Sequence, residues 1–566
     1  MDNPAKSALD RMTLARTKAP LVIEIDLGRG LADHPPADPV AALRARNTPV
    51  LSEMLTGLRY AAADPQVAGA IVTLSDTLTV AQAEELGAAL REFADAGKPT
   101  IATATSFGEL GPGTLSYYLA LHTDSIWLQP SGGVGLMGVG LEVTTVRGAL
   151  DKVDADPQFA QRHEFKTAAE TIMSRDISEP NREMTQRLTD SVVHQVAATA
   201  LERRGVTDDE FRATMADAPL PAPIARERRL VDHLGYRSDA YAHARTTWGR
   251  NGEIRLQYAH RYARHRANRP LEQIRRYRRS KVGVVSVVGS ITTGRNGGSP
   301  LGGRNAGSDS ICSALQMATD DDSLSALVLR VDSPGGSYVA SDAVRHAVAE
   351  FRRTGRPIIA SMGAVAASGG YFVAMPCDAI VTLPSTLTGS IGVLGGKIAL
   401  RRTFERIGVN RLAIGSGPDA TMFSSTTLFD DAQWAKVDNW LDEVYADFTT
   451  KAATDRAMDV EELEPNARGR VWTGADACER GLADSLGGLR TAIDLAAARA
   501  GIESGDVRPV PVPHVSPLQR LVPADSSESA SDAVTATPES LLVSLTRSAG
   551  LEVPGALSLP WRLTLR

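Results

Sequence analysis

The chain carries one pattern twice. YYLALHTDSIWLQPSGGVGLMGVG, ending at Gly140, and YFVAMPCDAIVTLPSTLTGSIGVLGG, ending at Gly396, superpose at a single offset. Tyr117 falls on Tyr371, Asp124 on Asp378, Pro130 on Pro384, Gly135 on Gly389 and Gly138 on Gly392. On that register Ser368, in Ala366-Ala367-Ser368-Gly369-Gly370-Tyr371, stands opposite Thr114. A repeat this long means a duplicated domain rather than a solenoid, whose periods are a few tens of residues. It also means that two copies of one fold have been free to diverge.

The pattern extends outward from that core. Leu21–Leu27 (LVIEIDL) and Val282–Ile291 have the apolar, β-branched character of buried opening strands. GAIVTL from Gly69 matches ALVLRV from Ala326, and a helical pattern follows each. Both helices stop at Gly and then Pro, before the strands TIATAT and IIASMG. The copies close alike, RERRLVDHLGYRSDAYAHA against ACERGLADSLGGLRTAIDLA. Apolar strands alternating with helices predict parallel βαβ units with right-handed crossovers. The expected organisation is an N-terminal extension over 1–20, α/β repeats over 21–247 and 282–502, a basic linker over 248–281 and a tail over 503–566.

At 566 residues the chain exceeds one compact core, and length alone suggests three or four domains. A hydrophobic fraction of 43% with 23% charged residues describes an ordinary globular protein, and a net charge of −6 argues against nucleic acid as a partner. Cys312, Cys377 and Cys478 are odd in number and lack metal-ligand spacing, so neither a disulfide framework nor a metal or other cofactor is expected. No apolar run reaches the ~20 residues of a spanning helix, and no signal peptide is visible. Arg255–Lys281 sets ten basic residues against Glu272 alone. It reads as a solvated linker, or, with Tyr258, Tyr262 and Tyr277, as a surface for anionic lipid. From Val507 the composition turns to Pro, Ser, Ala and Asp, which cannot bury enough apolar area to fold alone. The last residues, from Leu541, regain hydrophobicity.

Ser368 follows a predicted strand and precedes a predicted helix. Small neighbours there admit a substrate backbone, and the N–H groups of a helix start suit an oxyanion. Taken alone, ASGG reads more readily as a tight turn that needs small residues. Asp332-Ser333-Pro334-Gly335-Gly336-Ser337 adds a glycine loop at a strand's carboxyl end, where N–H groups can face a ligand. The first copy has Ser75-Asp76-Thr77-Leu78-Thr79 in that place, so loop and serine are lost together. A turn has no reason to track the serine. His163 and His346 are the nearest histidine candidates for a base, but His346 sits mid-helix and reads as solvent-facing. A lysine serves instead if burial makes it neutral. Lys166, in His163-Glu164-Phe165-Lys166-Thr167-Ala168, is such a candidate, although a single lysine is ordinarily a surface residue.

DSPGGS at 332–337, MGAVAASGGYFVA at 362–374, PSTLTGSIGV at 384–393 and VWTGADACERGLADSLG at 471–487 resemble the signal peptide peptidase A, or protease IV, family in its double-length form. The resemblance covers nearly all of both copies. It implies a tandem duplication of the Clp-protease/crotonase-like α/β superfold and a Ser/Lys dyad, with Ser368 as nucleophile. The general base falls on Lys166, in an aromatic-Lys-[Ser/Thr]-Ala segment of the N-terminal copy. The second copy has Gly417-Pro418-Asp419 near the equivalent place and no lysine. The resemblance further implies oxyanion donors at Gly335 or Gly336 and at Gly369, with Ser390 orienting the lysine. It implies apolar peptide substrates such as cleaved signal peptides, a homotetramer and peripheral membrane association. Double-length relatives typically carry an N-terminal anchor and none is found here, which leaves a cytoplasmic location open. Two other readings stand beside the serine endopeptidase. One is a crotonase-like acyl-CoA enzyme, for which no CoA site or acid/base carboxylate is evident. The other is a catalytically silent scaffold at a membrane surface.

Overall fold

The computed structural model describes residues 19–34, 48–109, 111–268, 279–298, 304–503, 507–513 and 557–558. Most of the tail and most of the N-terminal extension therefore lie outside the described residues, as does 269–278 of the basic linker; Val507–Pro511, expected as part of the tail, instead pairs with the strand Ser280–Val288. The chain forms two compact units, each discontinuous in sequence. The first takes residues up to Gly140 and Thr189–Arg278, the second Leu141–Leu188 and most of the chain from Arg279 onward.

In the first unit β1 (Leu21–Asp26), α1 (Leu51–Ala62), β2 (Val67–Thr73), α2 (Val80–Asp95), β3 (Thr100–Ala104), α3 (Thr114–Ala120) and β4 (Ser125–Leu128) alternate as expected. Short strands at His233–Leu234 and Arg255–Tyr258 complete a six-stranded sheet, paired in parallel throughout. Such a sheet is buried on both faces, which is why its strands read as nearly unbroken apolar runs. Ile23 and Ile25 join one core with α1 and α2, while Val22, Ile71 and Ile101 pack on the other face with Tyr241 and Ala244. In the basic segment, Arg264 pairs with Glu53 and Arg266 with Asp64, so those two charges fasten the helix Ala259–Ala267 to this unit.

The second unit adds β5 (Asp156–Gln161) and the start of α4 (Glu179–Arg204) to the later half of the chain. Its main elements are β6 (Ser280–Val288), β7 (Leu324–Ser333), β8 (Gly335–Gly336), α5 (Tyr338–Arg353), β9 (Ile358–Ala367), α6 (Gly369–Ala374), β10 (Ala379–Thr382), β11 (Leu387–Gly389), β12 (Leu394–Ala399), α7 (Asp431–Arg456), β13 (Val471–Thr473), β14 (Val507–Pro511) and β15 (Leu557–Ser558). The principal sheet runs β13-β11-β9-β7-β6-β14. β9 is long enough to change partners, pairing β10 through Ile359–Ser361 and β11 through Val365–Ala367. The Gly335–Gly336 pair, expected as loop, forms the short strand β8, parallel to Ser290–Thr292.

The duplication is visible in matching hydrogen bonds. Tyr117 Oη donates to the Leu230 carbonyl and Tyr371 Oη to that of Leu482, each at 3.0 Å. Asp124 accepts from the Thr100 N–H, and Asp378 from that of Ile358. Asp232 accepts from Ile126 and Asp484 from Ile380. One departure from the repeat matters for function. Residues 141–188 continue the first repeat in sequence, yet they pack with the second unit, because β5 pairs antiparallel with β12 from Asp156↔Ala399 to Gln161↔Leu394. Among the described residues no helix is long and apolar enough to cross a membrane.

Candidate active site

β9 runs without interruption to Ala367, and the chain then turns into α6 at Ser368. The turn places Ser368 at φ 56°, ψ −115°, a region that a non-glycine residue occupies at a cost of order 1–3 kcal/mol. Tertiary structure holds it there: the Ser368 N–H donates to the Gly389 carbonyl (2.8 Å), and the Ser368 carbonyl accepts from Phe372 (2.9 Å). The two glycines after it are required by space. A Cβ on Gly370 would lie 2.4 Å from the Ser333 carbonyl oxygen. One on Gly369 would lie 2.7 Å from Ser341 Oγ and 3.1 Å from both Gly335 Cα and Gly336 N. The start of α6 thus rests against β8. Its first N–H groups, Gly369 included, have no partner within the helix. The Gly335 N–H donates to Ser333 Oγ at 3.1 Å.

Lys166 enters from the segment after β5. Its Nζ lies 2.8 Å from Ser368 Oγ and 3.0 Å from Ser390 Oγ, and donates to the Ser390 carbonyl at 3.1 Å. Lys166, Ser368 and Ser390 are all fully buried. Ser390 is itself held at φ 51°, with its N–H donating to the Arg470 carbonyl at 2.7 Å. Burial pushes the Lys166 ammonium down from its ordinary range to about 7, with no carboxylate to oppose the effect. An amine so placed is a free base in about half of the molecules at neutral pH and can accept a hydroxyl proton.

Several contacts hold the lysine segment in the second unit. Phe165 packs with Met184, Leu188, Ala367, Leu387 and Val471, and the Arg470 guanidinium lies over its ring at 4.6 Å. Arg162 reaches α7, bonding Asp438 and Asp442. Gly469, at φ +79°, backs directly onto Lys166, where a Cβ would lie 2.5 Å from Lys166 Cβ. Sequence reasoning did not single out Gly469. Between Arg468 and Arg470 it reads as a solvated turn, and only the approach of the lysine segment gives it a role.

The histidines are elsewhere engaged: His346 is exposed beside Glu350, and His163 packs on Tyr445. Among the described residues no group of His, Cys, Asp and Glu side chains could hold a metal ion. The corresponding place in the first unit is built differently. Thr114 donates its hydroxyl to the Gly138 carbonyl, and Ser116, in the position of Gly370, bonds Asp76. Asp76 also accepts the Gly108 N–H. A carboxylate at that position opposes a developing oxyanion rather than stabilising one.

The model of peptidase family S49 matches the chain twice, over residues 92–249 and 350–503, together more than half of its length. The chain belongs to peptidase family S49. Lys166 falls in the first matched segment, Ser368 and Ser390 in the second. Protease 4 of Haemophilus influenzae is 29% identical over 458 residues, 78% of this chain and 72% of that protein. Protease 4 of Salmonella typhi is 29% identical over 80% of this chain and 72% of its own length. The chloroplastic serine protease SPPA of Arabidopsis thaliana is 28% identical over 80% of this chain and 66% of its own. This S49 chain is accordingly a serine peptidase, a hydrolase on a duplicated α/β fold.

Proposed function

We propose that Ser368 and Lys166 form a Ser/Lys dyad that cleaves short apolar peptides such as released signal peptides. Ser368 Oγ attacks the scissile carbonyl while neutral Lys166 takes its proton. The N–H groups of Gly369 and Gly336 face the oxyanion of the tetrahedral intermediate, that of Gly335 being given to Ser333 Oγ. Collapse passes the proton from Lys166 to the leaving amine and leaves an acyl-serine. Water then attacks the ester, Lys166 again acting as base, and the acid product and free Ser368 are restored. Ser390 Oγ and its carbonyl hold Nζ toward Ser368.

The observation that carries this reading is the 2.8 Å approach of a fully buried amine to a fully buried serine hydroxyl, with burial itself supplying the neutral base. Neither histidine candidate is available to do the same work. Apolar substrates, a homotetramer and peripheral membrane association follow from the family resemblance and belong to the same proposal.

The test is hydrolysis of an apolar peptide ester by wild type, Ser368→Ala and Lys166→Ala. Each variant is expected to lose at least about a thousandfold in kcat, the scale of losing one member of a catalytic unit. Activity near wild type in either variant would overturn the dyad.

A further inference from the structure

At the opposite end of β9 from Ser368 the second unit holds an open cleft of about 610 Å³. β9 is ten residues long, which puts the cleft roughly 30 Å from the nucleophile at ~3.3 Å per residue. The cleft is lined by four arginines, Arg352, Arg353, Arg356 and Arg499, and one acidic residue, Asp378. That acid is already engaged. One Asp378 carboxylate oxygen accepts the Ile358 N–H at 2.8 Å, and the other accepts from Arg352 Nε at 2.9 Å. Arg353 pairs with Glu350 along α5. Arg499 donates to the Asp378 carbonyl at 2.8 Å, and Arg356 donates to the carbonyls of Asp321 and Leu324 and to Thr354 Oγ1. The Asp321 carboxylate is turned instead to the Ser323 N–H and hydroxyl. Neither Arg356 nor Arg499 forms an ion pair with a carboxylate among the described residues, in a chain whose net charge is −6.

The first unit shows that the fold does not demand all of these charges. Gly97-Lys98-Pro99 matches Gly355-Arg356-Pro357. Lys98, like Arg356, spends its donors on backbone carbonyls, those of Ala61, Asp64 and Val67, so this position is structural in both copies. On the same register Arg352 and Arg353 fall on Ala94 and Asp95. Buried Ala240 and Ala244 match Ala492 and Ala496, which sets Arg499 on Thr247. A helix C-terminus favours cations, yet the matching helix ends of the first unit do without these three. Arg352, Arg353 and Arg499 thus belong to one copy alone, as Ser368 does.

We infer that this cleft binds a phosphate-bearing anion, either a free phosphorylated small molecule or the headgroup of an anionic lipid. Guanidinium groups fork onto phosphate oxygens through pairs of charge-assisted hydrogen bonds. Three of them around one opening, beyond the structural Arg356, suit the multiple charge of a phosphate group better than the single charge of a carboxylate. The volume falls within the ~300–1,000 Å³ of small-molecule sites. The inference is independent of the Ser/Lys reading, since neither Ser368 nor Lys166 lines the cleft.

The test uses the full chain, with inorganic pyrophosphate in calorimetry and with vesicles of phosphatidylglycerol or phosphatidylcholine in sedimentation. The variants are Arg353→Ala with Arg499→Ala, and the milder Arg499→Gln alone, with melts showing that each remains folded. Arg401→Ala, which removes an exposed arginine elsewhere on the same unit, is the control. Affinity for the phosphate probe is expected to fall about ten- to a hundredfold in the double variant, the scale of losing charge-assisted hydrogen bonds. The control should stay within about twofold, as for a screened remote charge. Arginine-dependent binding of pyrophosphate supports a soluble ligand. Arginine-dependent binding of phosphatidylglycerol vesicles, without phosphatidylcholine or pyrophosphate binding, supports a lipid headgroup. Binding of neither probe, equal binding by wild type and the double variant, or citrate bound as tightly as pyrophosphate would overturn the inference.

Discussion

Lys166 Nζ lies 2.8 Å from Ser368 Oγ although the two residues stand 202 positions apart and come from different copies of the repeat. The segment bearing the lysine has left the packing of its own copy and joined the sheet and helices of the other. A duplication that began with two equivalent halves now carries its proposed site at the start of α6 in the second.

Replacing Lys166 by Met should stabilise the protein at neutral pH. The amine titrates at about 7 in the folded chain and near 10.5 when unfolded, so the unfolded chain binds the extra proton between those values. Its destabilising effect is full below pH 7 and fades as pH rises toward 10.5. Lys166→Met is expected to gain a few kcal/mol at pH 7, on the order of the shift at ~1.4 kcal/mol per pH unit, and much less at pH 10. Denaturant melts at the two pH values check this. Equal effects at both would contradict a neutral buried lysine.

Ser390→Ala removes the 3.0 Å hydroxyl contact but leaves the carbonyl contact to Nζ. We expect kcat to fall about ten- to a hundredfold with little change in KM, because the loss concerns positioning of the base rather than substrate binding. A change confined to KM would place Ser390 in the substrate site instead.

Gly469→Ala forces a Cβ to 2.5 Å from Lys166 Cβ at φ +79°. A loss of about 1–3 kcal/mol in stability is expected, with a larger proportional loss of activity because the lysine must shift. Gly148→Ala, where a Cβ meets nothing within 4 Å, is the matched control and should leave activity unchanged. Equal behaviour of the two variants in melts and esterase assays would remove Gly469 from the site.

The repeat, the alternation of strands and helices within each copy and the turn at Ser368 were legible because each rests on local signals. These are apolar β-branched runs, Gly-Pro helix stops and small residues between a strand and a helix. The loss of the glycine strand from the first copy was legible too, as Ser75-Asp76-Thr77. That Asp76 fills the vacated place with a charge accepting from Ser116 and Gly108 was not, since it depends on which loops meet. Lys166 could be singled out only through the family pattern, because nothing local separates a lysine bound for the interior from one bound for solvent. Gly469 and the pairing of β5 with β12 are long-range consequences of where residues 141–188 dock, and no short window of sequence contains them.

The most direct test of the Ser/Lys account is the pH dependence of kcat/KM for a neutral peptide ester between pH 5 and 10. With a base that titrates at about 7, activity should rise through neutrality with a midpoint there and level off above roughly pH 8. A flat profile from pH 6 to 9, or a midpoint near that of free lysine at about 10.4, would contradict it.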